Sequence, residues 1–227
     1  MLTRAGQPHR LVSIGWPGAQ LTARSRFRSV GAVRERLTPR GRDRREQLLG
    51  VAATLFAERG YHPTSVADVV SALGVGKGVF YWYFSSKEEL LIEILRSSHH
   101  ALRKRQQAAI SETTDPLVRI ELGVRETLAW FREHRSYFSI IQFAATDETF
   151  APILRRNEEL ALGDTMRHIV DAIGQGRVAD LDPEMLARAI HGVIGRLARD
   201  FLIERDEPVA TVADLAVAFC LRGLGFE

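Results

Sequence analysis

From Thr64 to Leu91 the chain reads TSVADVVSALGVGKGVFYWYFSSKEELL, and no other stretch restricts the possible folds as tightly. Val66, Val69, Val70 and Leu73 fall at the i, i+3, i+4, i+7 spacing of a helix with one buried face, and Thr64 or Ser65 stands where its N-cap belongs. Gly74 supplies a turn. The aromatic segment from Gly76 to Phe84 then places Val79, Phe80 and Phe84 inward and leaves Lys77, Tyr81 and Tyr83 outside. Ser86 is followed three residues later by Glu89 and then by Leu90, Leu91, Ile94 and Leu95, the form of a capping box opening a helix that runs past Arg105. Upstream, Leu48, Ala52, Leu55 and Phe56 lie on one stripe of a helix from Arg44 to Arg59, closed by Gly60. Three helices around one small core have the plan of a helix-turn-helix unit, whose second helix can enter a major groove.

Phe56, Gly60, Tyr61, Gly74, Val75, Tyr81, Phe84 and Lys87, in this order and spacing, resemble the N-terminal domain of the TetR family of bacterial transcriptional regulators. The likeness is close from Arg44 to Leu91; beyond it only the pattern of helices is similar. It implies a division of labour on double-stranded DNA. Lys77, Gly78 and Val79 match the positions that read base edges, and Thr64, Ser65, Tyr81, Tyr83 and Lys87 match those that hold phosphates. Arg44 and Arg45, at the start of the preceding helix, complete the expected DNA contacts. The chemistry is consistent: lysine donates to guanine, a glycine allows close approach, valine meets a thymine methyl, and hydroxyls and ammonium groups suit phosphate oxygens. Two positions depart from the family pattern. Gly76 stands where a serine or threonine cap is common, and Val79 where a hydroxyl-bearing residue often sits, so the operator is not inferred from a relative. Trp82 is expected to pack beside the groove.

Charge divides the chain. Residues 1–45 hold eleven arginines against Glu35 and Asp43, a net +9, so the total of +3 leaves the remainder at −6. Gly15, Pro17, Gly18, Pro39 and Gly41 interrupt any regular pattern there, and residues 1–42 are expected to be a basic, disordered extension. A DNA-following arm, a solvated extension, a mis-assigned start and a transit peptide all remain open for this segment. The single cysteine, Cys220, and apolar runs all shorter than a membrane span point to a cytoplasmic protein with no membrane partner.

Residues 43–91 are read as the DNA-binding domain and 92–227 as an effector-binding and dimerisation domain, making the chain all-α. Asp115–Pro116 opens a helix to Glu133, followed by helices over 136–145 and 151–173, a helix opened by Asp182–Pro183 and running to Glu204, and one from Thr211 to Leu221. The last two carry Leu186, Ile190, Val193, Ile194, Leu197 and Phe201, and Val212, Leu215 and Phe219. This is more apolar surface than two lone helices can expose, so they are expected to pair with a second copy in a four-helix bundle. The family resemblance implies the same homodimer. It further implies recognition helices about 34–36 Å apart on a palindromic operator, repression, and release by a small molecule, with the helix from Ser86 as the lever.

For that effector, the six aromatics between Trp130 and Phe150 indicate an apolar pocket. Trp130, Tyr137, Phe138 and Phe143 are its expected walls, with His134, Gln142, Met166, His168 and His191 as polar or adaptable contacts, and a bulky hydrophobic effector as occupant. Plain core packing is the competing reading of the same aromatics. Catalysis has no motif here. Lys77 is followed by Gly78 where a phosphate loop needs serine or threonine, and neither His99–His100 nor His168–Asp171 supplies metal-ligand spacing. No cofactor is expected. The retained alternative is a helical small-molecule-binding or interaction protein that lacks sequence-specific DNA binding.

Overall fold

Proline at position 39 lacks the amide proton that a helix start leaves unused, and it begins the first helix, α1 (Pro39–Arg59), earlier than the Arg44 expected from periodicity. The computed structural model describes residues 38–225. Expectations for residues 1–37 lie outside them. Gly60 ends α1 at φ +89, where a side chain would be strained. Helix α2 (Val66–Ala72) is capped by Ser65, which exchanges bonds with Asp68 in a full capping box. Gly74, at φ +67, makes the turn into α3 (Lys77–Tyr83), whose N-cap Gly76 offers no side-chain bond. Ser86 caps α4 (Lys87–Ile110) through Glu89 N at 3.1 Å, but the returning Glu89 carboxylate takes Ser85 N at 2.6 Å instead of closing on Ser86.

Asp115 and Asp182 cap α5 (Pro116–Glu133) and α8 (Pro183–Leu197), each with proline in the first turn as expected. Between them lie α6 (Arg135–Ala145) and α7 (Ala151–Gly174). The helix expected to run from Pro183 to Glu204 changes register at Ala198 and continues as a π-helical segment, Ala198–Glu204. Two arginines accept this widened turn, Arg132 donating to Leu202 O and Arg135 to Ile203 O. Both also pair with Asp206, whose φ of 60 turns the chain toward α9 (Val209–Gly223). No strand occurs among the described residues.

Two cores organise these helices into one compact unit. Phe80, Phe84, Leu48, Leu90 and Leu91 fill the first, between the helix-turn-helix head and the start of α4. Trp130, Tyr137, Ile140, Ala144 and Phe150 belong to that same core, so its boundary does not follow the expected break between residues 91 and 92. The second core, around Leu128, Ile169, Ala187, Leu202 and Ala216, holds the body. Phe131 packs against both.

Candidate nucleic-acid interface and effector cavity

Helix α3 is amphipathic over only seven residues. Phe80 is fully buried, while Lys77, Gly78, Tyr81 and Trp82 face outward and Val79 and Tyr83 are half-buried. Tyr81 and Trp82 are 57% and 62% exposed, so Trp82 belongs to the outward face, its indole edge against the Tyr83 ring, and not to the packing role expected of it. A Cβ at Gly78 would meet nothing within 4 Å, which leaves its backbone open to close approach from outside.

Three expected DNA contacts have other occupations. Thr64 is buried, and its hydroxyl donates to Gly60 O at 2.8 Å. Arg45 is buried with its guanidinium 2.9 Å from Glu93 and over the Phe84 ring, and Glu93, 2% exposed, also holds Arg96 at 2.9 Å. Lys87 spends its ammonium on backbone carbonyls, at 2.9 Å from Tyr61 O, 2.9 Å from Thr64 O and 3.4 Å from His62 O, and stands 4.2 Å over the Tyr61 ring. The physical reason is common to all three. The loop between α1 and α2 and the α1–α4 junction contain polar groups that must be satisfied locally. Ser65 is exposed but engaged with Asp68, and Arg44 is half-buried.

In the body, a cavity of about 650 Å³ opens between α4, α5, α6, α7 and α8. Of the eight expected ligand residues, Tyr137 and His191 line it. Trp130 and Phe143 sit in the first core instead, Phe143 stacked on Tyr61 at 5.1 Å, and Phe138 and Met166 pack in the second. His134 stacks on Trp130 at 4.2 Å, and Gln142 faces Arg199. The aromatic cluster is therefore mainly the cement between head and body. His168, expected as an accessory contact, does line the cavity.

Missed among the lining groups were His99, Arg103 and Gln106 of α4, whose i, i+4, i+7 spacing with apolar Leu102 and Ile110 was a legible polar stripe. Most of the polar lining is paired within the protein. Arg103 grips Asp164 at 2.6 and 3.1 Å, Gln106 donates to Thr127 at 2.9 Å, and Thr165 meets His191 at 2.9 Å. Tyr137 Oη and Asn157 Nδ2 both donate to Leu95 O of α4, at 3.3 and 3.2 Å. Burial, reinforced by Arg103, pushes His99 down to about 4. Burial also lowers His168, helped by Arg119 and Arg167, and lowers His191. All three are held neutral. Among the described residues no cluster of side chains could hold a metal ion, and no helix is long and apolar enough to cross a membrane.

A glycine-turned three-helix head on an all-helical body defines a helix-turn-helix DNA-binding regulator. Residues 48–94 match the family described as bacterial regulatory proteins, tetR family. The HTH-type transcriptional repressor KstR2 of Rhodococcus jostii strain RHA1 is 30% identical over 188 residues, spanning 80% of this chain and 91% of the repressor. The structure of the ketosteroid transcriptional regulator KstR2 of Mycobacterium tuberculosis superposes with a TM-score of 0.64 at 28% identity, covering 80% of this chain and 94% of that one. That of the fatty acid degradation regulator FadR from Bacillus halodurans gives 0.75 at 17% identity over 85% and 100%, a likeness of fold. The chain belongs to the TetR family of transcriptional regulators.

Proposed function

We propose that this regulator is a homodimeric repressor that binds a palindromic operator through α3 and releases it when a small apolar effector fills the body cavity. One observation carries the reading: the helices that wall the cavity also hold the head. Helix α6 turns Tyr137, Ile141 and Ala145 toward the cavity, while its Ile140, Phe143 and Ala144 pack in the head's core. Tyr137 and Asn157, both on the cavity wall, bond the carbonyl of Leu95 within α4, the helix that continues from the head. An occupant that displaces either side chain shifts α4 and α6 against α1, and with them the spacing of two reading heads. The sequence pointed to α4 alone as lever; the packing favours α6 as its partner. Residues 43–91 serve as reading head and 92–227 as effector and dimer body in this account, with the two sharing a core.

The dimer face supported by the packing differs from the expected set. Ile190, Ile194 and Val212 are buried in this chain's own core, and Leu186, Val193, Leu197 and Phe201 are largely covered by it. Met185, Leu215 and Phe219, exposed at 71%, 56% and 62%, remain on α8 and α9 as an apolar face for a second copy. Repression follows the relatives' description as a transcriptional repressor, and an apolar effector accords with relatives described as ketosteroid and fatty acid degradation regulators. On DNA, the exposed Lys77 and Gly78 read bases with the half-buried Val79. Tyr81, Tyr83, Ser65 and Arg44 take phosphates beside Trp82.

The test is fluorescence anisotropy at two salt concentrations with DNA from upstream of the protein's own gene, a scrambled duplex, and the Lys77→Ala, Tyr81→Ala double variant. Discriminating binding that the variant loses supports the reading. If neither this DNA nor genome-wide site selection yields a preferred sequence, the protein is a binding module without operator specificity.

A further inference from the structure

The cavity wall contains three hydrogen-bonding side chains left without full protein partners, and all three carry nitrogen. His99 Nε2 on α4 and His168 Nδ1 on α7 are buried with no partner. Arg119 on α5 commits its Nε to Thr113 O at 2.8 Å and has no partner for its terminal nitrogens among the described residues. The lining carboxylates, by contrast, are taken. Asp164 is gripped by Arg103 and Arg167, and Glu158 lies 3.6 Å from Arg188. The wall therefore holds Arg103, Arg119 and Arg167 against Asp164 and Glu158, an excess of one positive charge that falls on Arg119. A cationic guest would find no free carboxylate. A wholly apolar guest would seal three nitrogen groups away from any acceptor, which is costly in a buried site.

The layout gives the guest a direction. Leu95 bonds Asn157 and Arg103 bonds Asp164, so α4 and α7 run side by side in the same sense. In that register His168 stands near Gln107, and His99 lies about two helical turns away, on the order of 10 Å. Arg119 is close enough to His168 for its charge to act on that imidazole, which joins the two at one end of the cavity. Apolar Leu102, Ile120, Val124, Phe131, Leu154 and Ile194 line much of the remainder.

We propose that the effector is an apolar carboxylic acid, its carboxylate received by Arg119 and His168 and its apolar body extending toward His99, which bonds a hydroxyl or carbonyl there. This rests on the effector-cavity reading above and names the chemical class of its ligand. Binding also takes up a proton. Neutral His168 faces Arg119 from α5 and Arg167, Asp164 and Asp171 on its own helix; His99 faces Arg103 and His100 on α4 and Asp164 on α7. A carboxylate placed against His168 offsets the arginine charges that hold it neutral.

The experiment uses the full chain and the neutral dye Nile red as cavity probe. Competitors are dodecanoate with dodecanol, and deoxycholate with its carboxamide. Dye binding abolished by the cavity-filling Ala161→Trp variant confirms that the cavity takes apolar guests. The proposal then requires that, for at least one skeleton, the acid displace dye at least about tenfold better than its neutral counterpart. That preference must vanish in Arg119→Gln and shrink in His168→Gln, while neutral competitors are unaffected in both. Calorimetry of the acid at pH 6 in two buffers of different ionisation enthalpy must show proton uptake that His168→Gln removes. Neutral analogues binding as well as acids, an acid preference that survives both variants, or no displacement by either skeleton overturns the proposal and leaves the cavity reading standing. Dye binding absent, or indifferent to Ala161→Trp, overturns the cavity reading and the proposal with it.

Discussion

Replacing Lys87 by methionine separates two roles that the sequence alone assigns to the same residue. Methionine keeps much of the stem over Tyr61 but removes the ammonium that bonds Tyr61 O and Thr64 O at 2.9 Å each and approaches His62 O at 3.4 Å. A hydrogen bond to a charged group contributes about 1.5–3 kcal/mol, and a cation over a ring about 0.5–1 kcal/mol at accessible sites. Lys87 is half-buried, and the carbonyls it leaves are partly open to water, so the lower ends apply and the losses overlap. We expect a loss of about 2–3 kcal/mol, which for a chain of this size lowers the melting temperature by roughly 5–10 °C. Circular dichroism melting measures the stability. Anisotropy over a salt series, at a temperature where the variant is folded, measures the DNA contacts. A phosphate clamp would behave oppositely: unchanged melting, with the slope of log affinity against log salt falling by about 0.9 for the one lost contact. That pair of results would refute the structural role argued here.

Four further outcomes are expected. Gly78→Ala leaves the fold intact or stabilises it by about 0.5–1 kcal/mol, since the position is open, while operator affinity measured by anisotropy falls if α3 lies close in the groove. Glu93→Ala removes the buried partner of Arg45, leaving only exposed Glu46 at 3.7 Å as a carboxylate contact, and costs about 3–5 kcal/mol in urea unfolding. Leu215→Asp with Phe219→Asp yields a folded monomer by sedimentation that loses operator binding, because two linked heads are needed. His99 stays neutral down to about 4, against an ordinary 6.5, so between those pH values the unfolded chain holds the extra proton. Its contribution is complete above pH 6.5 and lost as pH falls toward 4, up to about 3 kcal/mol before solvent screening reduces it. Urea midpoints at pH 7 and pH 5 should therefore converge in His99→Gln relative to the parent protein.

The reading head was legible because its signals are local. Capping serines, glycines at positive φ and the 3.6-residue stripe act within a few residues of themselves, and the first core contains the residues the stripe assigned, Phe56, Val69, Val70, Phe80 and Phe84. The candidate site was legible only in part. Lys87, Thr64 and Arg45 look like phosphate contacts from residue type and position, and nothing local reveals that a loop more than twenty residues upstream presents three carbonyls to Lys87. The aromatic cluster misled for a related reason. Density of rings is the same whether they line a cavity or join two cores, and only the stacking of Phe143 on Tyr61 and of His134 on Trp130 decides between them.

What the sequence by itself determined was the all-helical class, the head with its turn and caps, and the apolar character of the last two helices, since each follows from hydrogen bonding and periodicity along one segment. Tertiary structure alone decided which faces of α8 and α9 remain exposed, where the register shifts at Ala198, and which nitrogens are stranded on the cavity wall. Burial and pairing are properties of several segments brought together. His99, Arg119 and His168 come from three helices, and their shared want of an acceptor exists only once those helices are packed.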